Sequence, residues 1–287
     1  MILAHPGEPA APHDLWAAWN LDPVLLAGLL LAGWVYRRGT GGAGKTAAGR
    51  WRGRAFAGAL LAVGVALVSP LEALSGALAS AHMVQHVLLL MVAAPMFVLS
   101  APFGSLLRGL PPAVRRMTMR SRRWLRLSPR KLRPLQHPAA VWLLHVGTLW
   151  FWHASVPYEA ALGNELVHVV EHASFLLTAA LFWRVVLGTA VGSRVSYGGG
   201  IVLLFAAALH SVFLSALLTF ADASWYPSYL ETTRPWGLDP LADQQLAGVI
   251  MWVPAGMVYA GAALTLLVAW VRATEENEIP VTAPVPQ

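Results

Sequence analysis

The sequence predicts an all-α fold: an integral membrane bundle of seven helices, N-terminus outside and C-terminus inside. Three observations predict it. Of 287 residues, 57% are hydrophobic and only 12% are charged, about half the charged share of a soluble domain. Apolar runs near 17–36, 55–71, 79–100, 138–154, 163–187, 199–219 and 243–271 approach or exceed the ~20 residues a helix needs to cross hydrocarbon. Basic residues also fall almost wholly on one side of these runs, the side that becomes cytoplasmic.

The first run follows "MILAHPGEPAAPHDLWAAWN", which has neither a basic region nor an apolar stretch before Leu21. It does not read as a secretory signal. With no Cys and no Gly at position 2 it carries no lipidation motif, so insertion is expected through the spans themselves. The loop at 37–54 carries Arg37, Arg38, Lys45, Arg50, Arg52 and Arg54. The second run is short, and the third contains "AAP" at 93–95. Proline within a membrane helix is tolerated and kinks it.

Next comes a basic stretch, 105–133, in which "PPAVRRMTMRSRRWLRL" places Val114, Met117, Trp124 and Leu125 at near-helical spacing among arginines. It reads as an amphipathic helix lying on anionic lipid at the cytoplasmic surface, or else as a solvated basic loop. The fourth run is short, the fifth and sixth are long, and the seventh holds "WVPAG" without losing its length. The tail, 273–287, is polar and rich in proline and is expected to be disordered.

Of the twenty Lys and Arg, only Arg234 falls outside the cytoplasmic side. This distribution accounts for the net charge of +6 without nucleic acid as a partner. The outer side is acidic, with Glu8, Asp14, Asp22, Glu72, Glu159, Glu165, Asp222, Glu231, Asp239 and Asp243. That face attracts cations or simply complements the basic inner loops. Cysteine is absent, which removes disulfides, thiolate ligands and thiol redox chemistry. Both lysines, Lys45 and Lys131, lie in loops, so no span supplies a Schiff-base amine for retinal.

The histidines carry the chemistry. His82 and His86 open the third run, and His168 and His172 lie early in the fifth. Each pair is spaced i, i+4 and shares one helix face. Both helices run inward, so both pairs lie in the outer half. His153 ends the fourth run at the same level, while His145 and His210 lie deeper and only His137 is cytoplasmic. An ionisable residue in a span is costly and faces the bundle interior. A single such His is a packing residue; two matched pairs point to a metal ion or haem. Glu171 beside His172 is placed to orient an imidazole or to neutralise an ion. Met83 offers a thioether, which favours Cu(I), or a core contact. Asp243 and Gln245 stand at the outer entrance of the seventh run, where Asp243 also suits a helix N-cap.

"HVVEH" matches the H-x-x-E-H pattern of inverted zinc proteases, but nothing accompanies it, and no nucleophile–base pair or nucleotide loop stands out. No enzymatic activity is expected.

Three segments are more specific: "AHMVQHVLLLMVAAPMFVLSAP", "HVVEHASFLLTAALFW" and "WYPSYLETTRPWGLDPLADQQLAGVIMWVP". Together they resemble the polytopic CtaG family of bacterial cytochrome c oxidase assembly factors, over about residues 55 to 271. The resemblance implies a multi-pass protein of the bacterial plasma membrane needed to mature haem–copper oxidase, with the oxidase subunits as partners and copper as cargo. Its carry-over falls on His82, His86, His168, Glu171, His172, Asp243 and Gln245. The expected metal site is therefore His82, His86, His168 and His172. His153, His210, Glu171, Met83, Asp243 and Gln245 are further or supporting residues. Rival readings are a haem-binding electron carrier and a metal or proton transporter.

Overall fold

A computed structural model of the chain describes residues 10–124, 137–188 and 195–278, and among them there is no strand. The tail beyond 278, residues 125–136 of the basic stretch and Arg194 lie outside the described residues.

The first two helices, α1 (Pro23–Thr40) and α2 (Ala47–Leu67), each start on a side-chain cap. Asp22 accepts from the Leu25 N–H at 2.6 Å and Thr46 from the Gly49 N–H at 3.0 Å. Such caps satisfy amides that the helix itself leaves unpaired. Because Asp22-Pro23 sets its start, α1 begins later than the apolar run at 17–36. Conversely α2 begins earlier, because Arg50, Arg52 and Arg54 prolong the helix beyond its apolar part.

A short α3 (Pro70–Ser75) leads into α4 (Ala79–Val87), a π-helical turn (Leu88–Ala93) and α5 (Ala94–Leu99), which form one rod. Pro95 explains the turn. Proline has no N–H, and its ring clashes with the carbonyl four residues back. The Ala94 N–H bonds to Leu89 O instead, which leaves the Leu90 carbonyl free for Trp183 Nε1 at 2.9 Å.

Next come α6 (Pro102–Gly109) and α7 (Pro112–Trp124). Close approach ties α1 to α6: a Cβ on Gly39 would run into the Ser105 carbonyl, and one on Gly109 into that of Val35. On α7, Val114 and Met117 are exposed.

The remaining helices follow: α8 (Pro138–His153), α9 (Ser155–Gly163), α10 (Glu165–Leu187), α11 (Tyr197–Thr219), α12 (Tyr229–Thr232) and α13 (Pro240–Glu278). Pro254 does not interrupt α13, which continues past Val271 into "TEENE". Ala and Glu are good helix formers once the apolar run has ended.

Among the described residues, four helical segments are long and apolar enough to cross a membrane: Ala79–Leu99, Glu165–Leu187, Tyr197–Thr219 and Pro240–Glu276. α11 packs along α13, which also flanks α4, while α10 packs against α8, α5 and the π turn. Among the described residues the buried apolar side chains form three clusters, the smallest around Ala77, Leu78 and Ala81; the two larger ones flank the histidines. One gathers Leu89, Leu90, Phe175, Phe182, Trp183 and Tyr259; the other gathers Met83, Tyr158, Leu214, Leu218, Tyr226 and Tyr229. The histidines lie between them, with the His86 ring on Phe175 and the His82 ring on Tyr158.

Candidate metal centre

The two i, i+4 pairs meet across the interface of α4 and α10. Ring centroids of His82 and His86 are 4.3 Å apart and those of His168 and His172 4.2 Å. Across the interface, His82 lies 5.4 Å from His168 and 5.9 Å from His172, and His86 lies 5.5 Å from His172. Between the pairs sits Glu171, completely buried.

One nitrogen or oxygen from each of His82, His86, Glu171 and His172 comes within 4.8 Å of the others. His82 Nε2 lies 3.6 Å from Glu171 Oε2, and His86 Nε2 lies 3.5 Å from Glu171 Oε1. These separations exceed the ~2.7–3.2 Å of a hydrogen bond. They approach the ~3.3 Å edge of a tetrahedron whose metal–ligand bonds are about 2.0–2.1 Å. Both oxygens of Glu171, both nitrogens of His82 and of His86, and Nε2 of His172 are buried without a hydrogen-bond partner. No Lys or Arg among the described residues pairs with Glu171. An ionised, unpaired buried carboxylate costs several kcal/mol, a cost that a cation bound beside it would offset.

His153 joins from α8, its ring 5.8 Å from that of His86. Its Nδ1 lies 2.7 Å from the Leu149 carbonyl, which can only accept, so Nδ1 carries the proton. That leaves Nε2, buried and unpartnered, as a bare lone pair. His168 stands at the edge, with Nδ1 3.6 Å from Glu72 Oε1 and Nε2 unpartnered. Glu72, in the connecting helix α3, takes a hydrogen bond from Gln85 Nε2, which also donates to Ala66 O at 2.7 Å. Burial pushes the Glu72 carboxyl up to about 7, against the lowering effect of the Gln85 bond.

The remaining expected residues serve elsewhere. His210 packs its ring on Trp142 at 5.1 Å, and His145 stacks on Phe182 at 5.0 Å. Met83 belongs to the apolar cluster around Tyr158, Tyr226 and Tyr229. Gln245 donates to Ala221 O at 3.3 Å. Asp243 is an N-cap, but for another helix: it accepts from Ala79 N at 2.6 Å and from the amide and hydroxyl of Ser80. Leu78, where α4 starts, offers no side-chain cap of its own. The cap on α13 is Asp239, which accepts from the Leu241 and Ala242 N–H groups.

Sequence reasoning missed the roof. Tyr226 donates to His153 O at 2.9 Å, and Tyr229 donates to Ser75 O at 2.9 Å. Since the one phenolic hydrogen of Tyr229 goes to Ser75, Tyr158 donates the 3.2 Å bond to Tyr229. Tyr158 and Tyr226 stack at 3.8 Å. Burial raises the pKa of all three phenols, which keeps them protonated donors. The signal for this roof was the tyrosine-rich "WYPSYLETT" segment itself, which has no helical periodicity to report where it folds.

The chain is 29% identical over 278 residues to the uncharacterized proteins Mb0105 of Mycobacterium bovis and MT0111 of Mycobacterium tuberculosis. That alignment covers 92% of this chain and 41% of each relative, so the chain spans about two-fifths of their length. No solved structure matches it. The sequence profile of the cytochrome c oxidase caa3 assembly factors matches residues 28–273, which takes in both histidine pairs, the roof and Asp243, and the chain therefore belongs to that CtaG family.

Proposed function

We propose that the protein carries copper at His82, His86, Glu171 and His172 and delivers it to haem–copper oxidase during assembly in the bacterial plasma membrane. The observation that carries this reading is the convergence of unpartnered, buried donor atoms from α4 and α10 on one point. Imidazole with a single carboxylate suits a copper or zinc ion, and the lack of thiolate ligands keeps binding exchangeable. Family membership supports the oxidase as recipient. Family membership supports a role without catalysis.

Haem is less well accommodated. His82 lies with its ring centroid 4.3–5.9 Å from those of His86, His168 and His172, which leaves no slot for a macrocycle between the pairs. Transport across the bilayer needs polar groups through the inner half, where aromatic Phe182, Trp183 and Tyr259 pack instead.

The topology in this reading is seven crossings with the roof outside. Besides the four long apolar helices, α1, α2 and α8 turn Leu30, Leu31, Leu61, Val65, Leu143, Leu144 and Phe151 outward, a surface suited to lipid. α7 lies on the inner leaflet, its arginines among anionic headgroups.

The test is metal content, by mass spectrometry, of detergent-purified protein after exposure to copper. Wild type retains about one copper per chain, the capacity of one four-ligand site, and His82→Ala/His172→Ala loses it. Equal copper in both proteins refutes the site. A Soret band in the purified protein would point to haem instead.

A further inference from the structure

The metal centre is closed on nearly every side. His82 and Glu171 side chains are 1% and 0% exposed, and His86 is 5% exposed. Above them the three tyrosines are themselves buried and tied to backbone carbonyls of His153 and Ser75. An ion entering from above would have to break those bonds. Below lie Phe175 and Phe182.

One edge differs. Between α3 and α10 the side chains of Glu72 and His168 are 21% and 18% exposed. His168 has one face in each environment. Its Nδ1 meets the Glu72 carboxylate, while its Nε2 is buried and unpartnered, and its ring touches those of His172 and His82. Beside Glu72, Gln85 is fully buried and its Oε1 has no hydrogen-bond partner. Gln85 Nε2, shared between Glu72 and the α2 carbonyl of Ala66, fixes the carboxylate in place. The order from surface to interior is carboxylate and amide oxygen, then one imidazole, then the three-imidazole set. Each step exchanges one ligand for a neighbouring one, which lets an ion shed water gradually rather than all at once.

We propose that Glu72 and His168 form the loading port of the metal centre, a transient two-ligand station that takes a hydrated copper ion at the outer rim and passes it to His172 and His82. The port rests on the copper-carrying reading above, because it presupposes a filled inner site. Glu72 supplies charge that draws the cation in; His168 turns between the carboxylate and the inner imidazoles. The port governs the rate of filling and leaves the affinity to the inner four ligands.

The experiment follows uptake of aqueous Cu(II) by the detergent-purified full chain, by stopped-flow quenching of its tryptophan fluorescence. Glu72→Gln keeps the shape and the Gln85 contact, and it slows uptake by about tenfold, the lower range of charge steering. Final stoichiometry and affinity stay as in wild type, so release to excess chelator slows by the same factor. The salt dependence of the uptake rate also flattens in Glu72→Gln, which a purely structural role would not produce. His168→Gln slows uptake at all salt concentrations without flattening that dependence. Tyr229→Phe, which loosens the roof, leaves uptake unchanged. Wild-type rates in Glu72→Gln and His168→Gln overturn the port while the copper reading stands; faster uptake in Tyr229→Phe does the same and moves entry to the roof. A wild-type chain that takes no copper overturns both.

Discussion

Glu171 is the side chain on which the centre turns. It is a carboxylate with no exposure, no hydrogen bond to either oxygen, and only imidazoles within reach. Ionised in the metal-free protein, that carboxylate would be a liability; beside the proposed ion it would neutralise charge. Glu171→Gln separates the two. Its metal-free thermal midpoint is expected to equal or exceed that of wild type, because an amide replaces an unpaired charge. Copper at about a hundredfold above its dissociation constant stabilises wild type by about 2.7 kcal/mol, and the variant by much less; differential scanning fluorimetry in detergent reads both effects. A metal-free midpoint well below wild type would show that Glu171 serves packing instead. The residues of this centre were legible because spacing i, i+4 assigns two side chains to one helix face, and because polar groups are rare in apolar runs. What spacing does not encode is which faces meet. His210, deeper in its helix, packs on Trp142 instead, and Met83, adjacent to His82, turns a hundred or so degrees away into the tyrosine cluster. Glu72 and the three tyrosines lie in connecting segments, where no period exists to read.

At the scale of elements, the centre exists because α4 and the turn that follows it are fixed at two levels, once by α13 and once by α10. Above the histidines, Asp243 of α13 caps the first turn of α4. Below them, Trp183 of α10 supplies the donor that Pro95 lacks, bonding the Leu90 carbonyl in the π turn. Asp243→Ala removes a cap of about 0.5–2 kcal/mol and frees the helix end one turn above His82. Copper affinity is expected to fall by about tenfold, as when a residue supporting a ligand is lost, although Asp243 touches no ligand itself; competition titration against a chelator measures it, and unchanged affinity would show that α4 is positioned from elsewhere. Trp183→Phe keeps the ring that stacks on Tyr259 but leaves a buried carbonyl unpaired, at a cost of about 1–3 kcal/mol. The expected result is a lower thermal midpoint in the metal-free protein, and no shift would mean the carbonyl has found another donor. The sequence made an N-cap at Asp243 readable by residue type, yet it caps a helix 163 residues away, which only tertiary packing decides. The π turn was foreshadowed by proline within an apolar run, as a kink rather than as a widened turn.

At the scale of the whole molecule, the helical bundle was legible because apolar runs of membrane length leave few alternatives: without water, backbone amides must bond within their own segment. Boundaries were less legible, because hydrophobicity and helicity end in different places. α2 starts among arginines and α13 continues into "TEENE", since the chain stays helical where it leaves the apolar zone. Orientation rests on charge alone, and on it depends the side from which copper arrives. With the basic loops inside, the tyrosine roof, the Glu72 port and the histidines all face outward. The chain has no cysteine, so single-cysteine variants report cleanly on sidedness. Asp222→Cys, in the exposed loop before the roof, is expected to react with a membrane-impermeant maleimide in intact cells. Lys45→Cys, between α1 and α2, reacts only after the membrane is opened. The reverse pattern would put the port on the cytoplasmic side and make the copper source internal, whereas the expected pattern leaves the centre open to copper from outside.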